Sequence, residues 1–426
     1  MLRGDALYNQ FVAILKEELR PAMGCTEPIA LAMAGAKARQ LLGCLPEKVD
    51  LKVSGNIIKN VKSVVVPNTG GQHGLAAAVC AGIVAGDPEA ELQVISKVRP
   101  EQHIAIREFI DRVKPQIGPS AASLIFDIDL TVSAGEDTAR IRIVNHHTNI
   151  VLMVRNGEVL LERPVAESSE DALTDKSCLT VARIVEFADC LDVEDIRDTV
   201  GFQIEKNMAI AQEGLEHNWG ANVGSVILRH QGDTPAKKAA AWAAAGSDAR
   251  MSGCEMPVVI VSGSGNQGIT ASVPVAVYAR ELGLGEEKLL KAVALSDLVT
   301  IHQKTGIGRL SAYCGAISAG CGAGAGIAYL LGGDTRAIAH TVVNAIAILS
   351  GTICDGAKPS CAAKIASAVD AGLLGWSMYL HGGHQFVGGE GIIKKGVENT
   401  IRSVGRLARQ GMRHTDGEIL DIMVGK

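Results

Sequence analysis

The sequence predicts an α+β fold, in which a large, mostly helical, Gly/Ala-rich part carries a smaller α/β unit with an antiparallel sheet portion. Two observations predict it. Strand-like segments crowd between Ile128 and Pro164, and beyond Asp171 nearly everything follows a helical period interrupted by glycine-rich loops. The chain of 426 residues is longer than one typical domain, so two to three structural units are expected. A hydrophobic fraction of 47% against 20% charged residues excludes intrinsic disorder. Aromatics make up only 3% while glycine supplies 48 residues, so the interior must be built from aliphatic and small side chains.

The elements follow in chain order. Tyr8, Phe11, Val12, Leu15 and Leu19 recur at helical spacing and give an amphipathic helix that stops near Pro21. A second helix starts around Pro28 and runs toward Leu42. Val61 to Val66 is β-branched and bounded by Pro67-Asn68-Thr69-Gly70-Gly71, which predicts a strand running into a loop, with an Ala-rich helix after it. Strands are then expected at Leu130–Val132, Ala139–Val144, Ile150–Val154 and Val159–Leu161. Asn156-Gly157 supplies the two-residue hairpin chemistry that tolerates positive φ. In the helical remainder, loops are predicted at Gly214–Gly224, Ser262–Gly268, Gly306–Gly308, Gly322–Gly326 and Gly382–Gly391. The expected grouping is residues 1–45 with 168–426 as the helical domain, and 46–167 as the α/β domain.

Charge and leader signals narrow the class. A net charge of −5 and a pI near 6.1 provide no footprint for nucleic acid or an anionic membrane. The N-terminus lacks a basic region followed by an apolar run, so no secretory signal is read and a cytoplasmic setting is expected. Ser311–Gly333 and Ala337–Cys354 are uncharged and long, but they are rich in Ala, Gly and Ser and lack an aromatic belt. They read as buried helices rather than membrane spans. Ten cysteines in a reducing compartment read as thiols, metal ligands or catalytic groups.

Gly24-Cys25-Thr26-Glu27-Pro28 sits where one helix ends and another begins. A cysteine just before a helix N-terminus feels unpaired N–H groups and the positive dipole end, which stabilise a thiolate. Cys25 is therefore the leading reactive thiol; the alternative is a small buried hydrophobe. In the C-terminal half, Cys314, Cys321, Cys354 and Cys361 match neither a zinc ribbon nor a ferredoxin run. On one straight helix Cys354 and Cys361 would stand roughly 10 Å apart along the axis. The intervening Asp355-Gly356-Ala357-Lys358-Pro359 breaks the helix and lets both sulfurs face one site. A third thiolate from Cys314 or Cys321 would give three cysteines and an open position, which suits a catalytic iron–sulfur cluster better than structural zinc; buried structural cysteines are the competing reading.

Ser262-Gly-Ser-Gly-Asn-Gln-Gly268 offers backbone N–H groups and small polar side chains to an anion such as a substrate carboxylate, through Ser264, Asn266 and Gln267. It is neither a P-loop nor a dinucleotide fingerprint. Asn56, with Asn68 and Thr69 of the Asn68-Thr69-Gly70-Gly71 loop, offers the same chemistry. Either loop also reads as an ordinary turn. Lys304 is a candidate for carboxylate binding or proton transfer, against a solvated lysine. His381 and His384 lack the spacing of a metal-binding pair and read as loop histidines.

Taken together, Gly-Cys-Thr-Glu-Pro at 24–28, Gly-Ser-Gly-Asn-Gln-Gly at 263–268, the Cys-Gly-Ala stretch from Cys314 to Gly326 and Ile-Cys-Asp-Gly-Ala-Lys-Pro-Ser-Cys-Ala at 353–362 resemble the L-cysteine desulfidase family over nearly the full chain. That family is related to the α region of iron–sulfur L-serine dehydratases. The resemblance implies a [4Fe–4S] cluster held by Cys314, Cys354 and Cys361, with one open iron and with Cys321 as the alternative to Cys314. Cys25 stands where the dehydratases have a candidate catalytic histidine and is read as the base, with Lys304 as a second catalytic group and Thr26 beside the substrate. The activity implied is pyridoxal-phosphate-independent β-elimination of L-cysteine to hydrogen sulfide, ammonia and pyruvate. The alternatives are a dehydratase of L-serine or another β-substituted amino acid on the same site, and a non-catalytic iron–sulfur or redox-sensing protein. The dehydratases have a Ser-His-Thr turn where Gly24-Cys25-Thr26 stands, and some end in a cysteine that is absent from Met-Val-Gly-Lys426. The expected partner is a small amino acid, with neither nucleic acid nor membrane, and a homodimer is the candidate assembly. On this reading the glycines gather where backbone must come close to a cluster and a small substrate.

Overall fold

A computed structural model describes residues 1–24, 26–122, 124–165, 174–386, 388–389 and 391–425. The opening amphipathic stripe forms α1 (Ala6–Glu18), which buries Tyr8, Phe11, Ile14 and Leu15. The short β1 (Arg20–Met23) leads into α2 (Thr26–Leu42), whose burial runs almost all the way round. The next strand, β2 (Lys48–Val53), alternates exposed and buried residues, turning Val49, Leu51 and Val53 inward. Then come α3 (Gly55–Val61), α4 (Gly74–Ala85), α5 (Pro100–Val113) and the edge strand β3 (Gln116–Pro119). The antiparallel run β4 (Asp127–Ala134), β5 (Asp137–Val144), β6 (Ile150–Arg155) and β7 (Glu158–Glu162) completes a six-stranded sheet of order β3-β2-β4-β5-β6-β7. Among the described residues only the β2–β3 pair is parallel. Asn156 and Gly157 both take positive φ at the β6–β7 turn, as the hairpin chemistry requires.

The segment Val61–Val66 does not form the expected strand. Val61 closes α3, and Val65 makes only an isolated bridge to His73. The chain turns back on itself there, with Val66 N donating to Gln72 O and Gly74 N to Val64 O, so no second strand is available to extend a ladder. Its valines still serve as core: Val61, Val64 and Val66 are buried.

The rest is helical apart from β8 (Pro257–Ile260), which pairs antiparallel with β1. The order is α6 (Val181–Cys190), α7 (Phe202–Glu216), α8 (Val223–Gln231), α9 (Pro235–Met251), α10 (Gly265–Glu281), α11 (Glu286–Ile307), α12 (Gly315–Leu330), α13 (Thr335–Leu349), α14 (Cys361–Leu380), α15 (Val397–Arg406) and α16 (Arg413–Val424). The fold is thus α+β, as the sequence predicts.

The described residues form two hydrophobic cores. One joins α1 to the helices beyond residue 178; the other joins α2 and α4 to the sheet. The segment 1–45, grouped by sequence with the helical part, therefore divides between them. The reason is α2's apolar circumference, which packs on α4 and on β4 and β5.

The predicted loop at Gly322–Gly326 is instead the interior of α12, the helix that packs on α10, α11, α13 and α14. Its glycines permit backbone contact. A Cβ on Gly320 would lie 2.4 Å from Ala368 O, and one on Gly324 would lie 2.7 Å from the Cα of Gly372, both on α14. A Cβ on Gly322 would meet Ser296 O of α11 at 2.5 Å. The uncharged runs that resemble membrane spans are α12 and α13, and among the described residues no helix is long and apolar enough to cross a membrane.

Candidate functional site

An open cavity lies where the two cores meet. The N-terminal ends of α2, α10, α12 and α14 all open on it, through Thr26, Asn266, Cys314 and Cys361. Each such end presents unpaired N–H groups and the positive end of a helix dipole, so the cavity favours thiolates and carboxylates.

Cys314, Cys354 and Cys361 share this cavity. An antiparallel bridge between Tyr313 and Ile353 sets the first two side by side. Cys314 N donates to Thr352 O at 3.2 Å, and Cys354 N donates to Ala312 O at 2.6 Å. Cys361 opens α14 after the predicted break. That break is held by Asp355, which accepts from Lys358 Nζ at 2.7 Å and from Lys364 Nζ at 2.8 Å. Burial works against the Asp355 carboxylate, but these two bonds and the two positive charges hold it down to about 2. Gly356 within the break has φ +96°, and a Cβ there would stand 2.2 Å from Lys59 O. Burial pushes the Cys314 thiol up to about 12, and the neighbouring Cys354 adds to the rise. Burial raises Cys361 as well. Cys321 lies two turns inside α12, is buried and does not line the cavity.

This donor set fits an iron–sulfur cluster. Among the described residues no three His, Cys, Asp or Glu side chains converge as one metal ion requires. A polynuclear cluster takes each thiolate on a different iron, so its ligands stand around it instead of meeting at a point. Three soft thiols on one wall, two of them at helix N-termini, meet that demand.

The predicted polar residues divide. Thr26, Asn56, Ser264, Asn266, Gln267 and Lys304 all line the cavity. Thr26 Oγ1 lies 3.1 Å from Gly263 O and 3.0 Å from Glu27 Oε2, tying the start of α2 to the glycine loop. Ser264 caps α10, accepting from Gln267 N. Among the described residues, Asn56 Oδ1 and Gln267 Oε1 are buried acceptors without a hydrogen-bond partner. Lys304, at the end of α11, is buried and its Nζ donates to Arg309 O at 3.4 Å. Asn68 and Thr69 are elsewhere. Asn68 Nδ2 donates to Ile95 O at 2.9 Å, tying the turn to the segment after α4, and Thr69 Oγ1 donates to Val66 O at 2.6 Å, holding the turn itself. Cys25 lies outside the described residues. His381, just after α14, and His384 do not line the cavity.

The structure adds residues that sequence reasoning missed. Glu27 is buried and accepts from Asn60 Nδ2 at 2.9 Å. Lys59 lines the cavity and is paired with Asp416 of α16. Arg250 is also buried in the wall. Behind Gly263, His147 stacks edge-on against Phe126, and burial lowers its pKa to about 4, so it is a neutral imidazole. One signal was available for Arg250: it follows Asp248 at the end of a helix whose Ala239–Gly246 run has no polar face, and a charge there has no solvated side to occupy.

Residues 89–421 match the serine dehydratase alpha chain family. The chain belongs to that family. Membership makes it part of an iron–sulfur-dependent, dehydratase-type lyase family and agrees with the three-thiol wall. Its relatives span the whole chain. A UPF0597 protein of Desulfitobacterium hafniense is 54% identical over 100% of this chain and 99% of its own length. Those of Treponema denticola and Actinobacillus pleuropneumoniae are 44% and 36% identical, each covering at least 98% of both chains. The serine dehydratase alpha match begins at residue 89, so α2 and α3, which bring Thr26, Glu27, Asn56 and Lys59 to the cavity, precede it.

Proposed function

We propose that this member of the serine dehydratase alpha chain family catalyses the β-elimination of L-cysteine to hydrogen sulfide, ammonia and pyruvate, without pyridoxal phosphate. The observation that carries the reading is the convergence of Cys314, Cys354 and Cys361 with the Ser264–Gln267 loop on one cavity. The three thiolates would hold a [4Fe–4S] cluster, which when bound supplies a Lewis-acidic iron at its open position.

The protein's own groups account for the rest of the chemistry. Ser264, Asn266 and the start of α10 bind and orient the small amino acid. Cys25, next to the cavity-lining Thr26 in sequence, is the base that takes the Cα proton. Lys304, buried at the same cavity, assists proton transfer. Loss of the Cα proton and departure of the sulfur as hydrogen sulfide leave aminoacrylate, which tautomerises to the imine and takes up water to yield pyruvate and ammonia. The nine described cysteines are free thiols, in keeping with a reducing cytoplasmic setting.

The second reading is dehydration of L-serine at the same site, which the family's name favours. Anaerobic reconstitution with iron and sulfide, followed by assay of sulfide, ammonia and pyruvate from L-cysteine and L-serine, decides between them. Sulfide release from L-cysteine with kcat/KM above that for L-serine supports the desulfidase; the reverse order assigns the dehydratase. Full turnover in protein stripped of iron refutes both. Cys25→Ala is expected to retain the cluster and lose about 10²- to 10⁴-fold in kcat.

A further inference from the structure

The charges around the cavity are mostly spoken for. Lys59 pairs with Asp416, Arg309 Nη2 lies 2.9 Å from Glu18 Oε1, and Lys364 lies 2.8 Å from Asp355. Arg250 differs. It is 3% exposed, and its hydrogen bonds go to neutral acceptors: Nε donates to Gly24 O at 3.0 Å and Nη1 to Asn266 Oδ1 at 3.0 Å. Among the described residues no carboxylate is paired with it. A guanidinium carries five N–H donors, so three remain after these two bonds. A buried cation held this way is costly unless an anion completes it, and the C-terminal end of α9 offsets only part of the charge.

The neighbouring group points to what the anion belongs to. Gln267 is buried in the same wall, and among the described residues its Oε1 has no hydrogen-bond partner. Its amide packs against Gly315, where a Cβ would lie 2.8 Å from the amide carbon, which puts it beside Cys314. Among the described residues the cavity therefore offers a cation without a carboxylate partner next to Asn266, and a buried acceptor without a donor near the thiols. A ligand that answers both carries a carboxylate and an ammonium on one small frame.

We propose that Arg250 is the α-carboxylate anchor of the substrate site, held in place by Asn266 and Gly24, with Gln267 Oε1 accepting from the α-ammonium. The assignment rests on the amino-acid reading of the cavity and names the residue that selects a free carboxylate.

L-Alanine has no β leaving group, so it reports binding without turnover. The experiment is calorimetric titration of the anaerobically reconstituted protein with L-alanine and with L-alaninamide, in wild type, Arg250→Gln and Arg250→Lys. Wild type is expected to bind the acid roughly 100-fold tighter than the amide. Arg250→Gln removes that preference by weakening the acid alone, and Arg250→Lys, with charge but no planar fork, keeps part of it. A wild type with no preference for the acid overturns the proposal, as does an Arg250→Gln variant that keeps the preference. Should Arg250→Gln fail to fold, the wild-type ratio and Arg250→Lys decide, because an undiminished preference in Arg250→Lys alone also argues against a fork. Acid selection through Arg250 without turnover of L-cysteine or L-serine would remove the proposed activity and leave this assignment standing; turnover with an Arg250-independent preference would do the reverse.

Discussion

Replacing Asp297 with asparagine removes a titration from the middle of the helical core. Asp297 sits in α11, fully buried, and accepts from Gln203 Nε2 of α7 at 2.9 Å. Among the described residues, its Oδ2 and the Gln203 Oε1 are both buried acceptors without a donor. A proton on Asp297 provides the donor this pair lacks. Burial drives the carboxyl up from 3.8 to about 8, against the opposing Gln203 bond, so the group is neutral in the folded protein at pH 7. Between these two values the folded state binds a proton that the unfolded state has released. The stability that Asp297 permits is therefore fully present below pH 4, is lost progressively as pH rises toward 8, and is flat above.

At about 1.36 kcal/mol per pH unit, the loss by pH 7 is about 4 kcal/mol. Asparagine has nearly the same shape, carries its donor permanently and does not titrate. Asp297→Asn is thus expected to match wild type near pH 4 and to exceed it by about 4 kcal/mol at pH 7. With an unfolding entropy of about 0.9 kcal/mol/K for a chain this long, that is a rise of about 4 °C in Tm. Scanning calorimetry of both proteins from pH 5 to 9 reads it directly. A Tm difference independent of pH, or a variant less stable than wild type at pH 8, refutes the reasoning.

Three further outcomes follow from the geometry. Cys354→Ser should lose iron and visible absorbance after reconstitution by more than the 10- to 100-fold that outer-shell changes cost, whereas Cys321→Ser should keep both; the reverse pattern would move the ligand set into α12. Gly356→Ala meets both a positive φ and the Lys59 carbonyl, so a loss of at least about 2 kcal/mol is expected, and iron content should fall with it because the residue lies between two of the thiols. Gly82→Ala puts a methyl 1.8 Å from Ala32 O, forcing α4 off α2; urea unfolding should show a loss of about 1–3 kcal/mol or more, and an unchanged midpoint would mean that the two helices separate freely.

Much of the fold was legible because it is written in local periods. The opening helix follows from the spacing of Tyr8, Phe11 and Leu15, and the β6–β7 hairpin from Asn156-Gly157. The break between Cys354 and Cys361 follows from its Gly and Pro residues. Glycine was read less well, because the sequence assigns the Gly322–Gly326 stretch to a loop and its glycines chiefly to the site. In α12 they are places where α11 and α14 come within backbone contact, and a helix with small residues on several faces looks the same as a loop until its neighbours are known. Asn68 and Thr69 lie away from the cavity, and the sequence does not show it because a polar turn that serves a ligand and one that bonds to backbone carbonyls of the protein have the same composition.

The sequence by itself determined the kinds of element and placed the thiols and the polar loop that line the cavity, since each of these depends on a few residues near one another in the chain. Tertiary structure decided which of them meet. Cys314 rather than Cys321 faces the cavity because the Tyr313–Ile353 bridge fixes the entry to α12. Arg250 becomes a site residue because α9 ends at the cavity beside Asn266. Lys59 joins it because α16 returns from the far end of the chain to pack on α3. Those contacts join residues up to 357 positions apart, and no local period or motif encodes a contact between segments that distant.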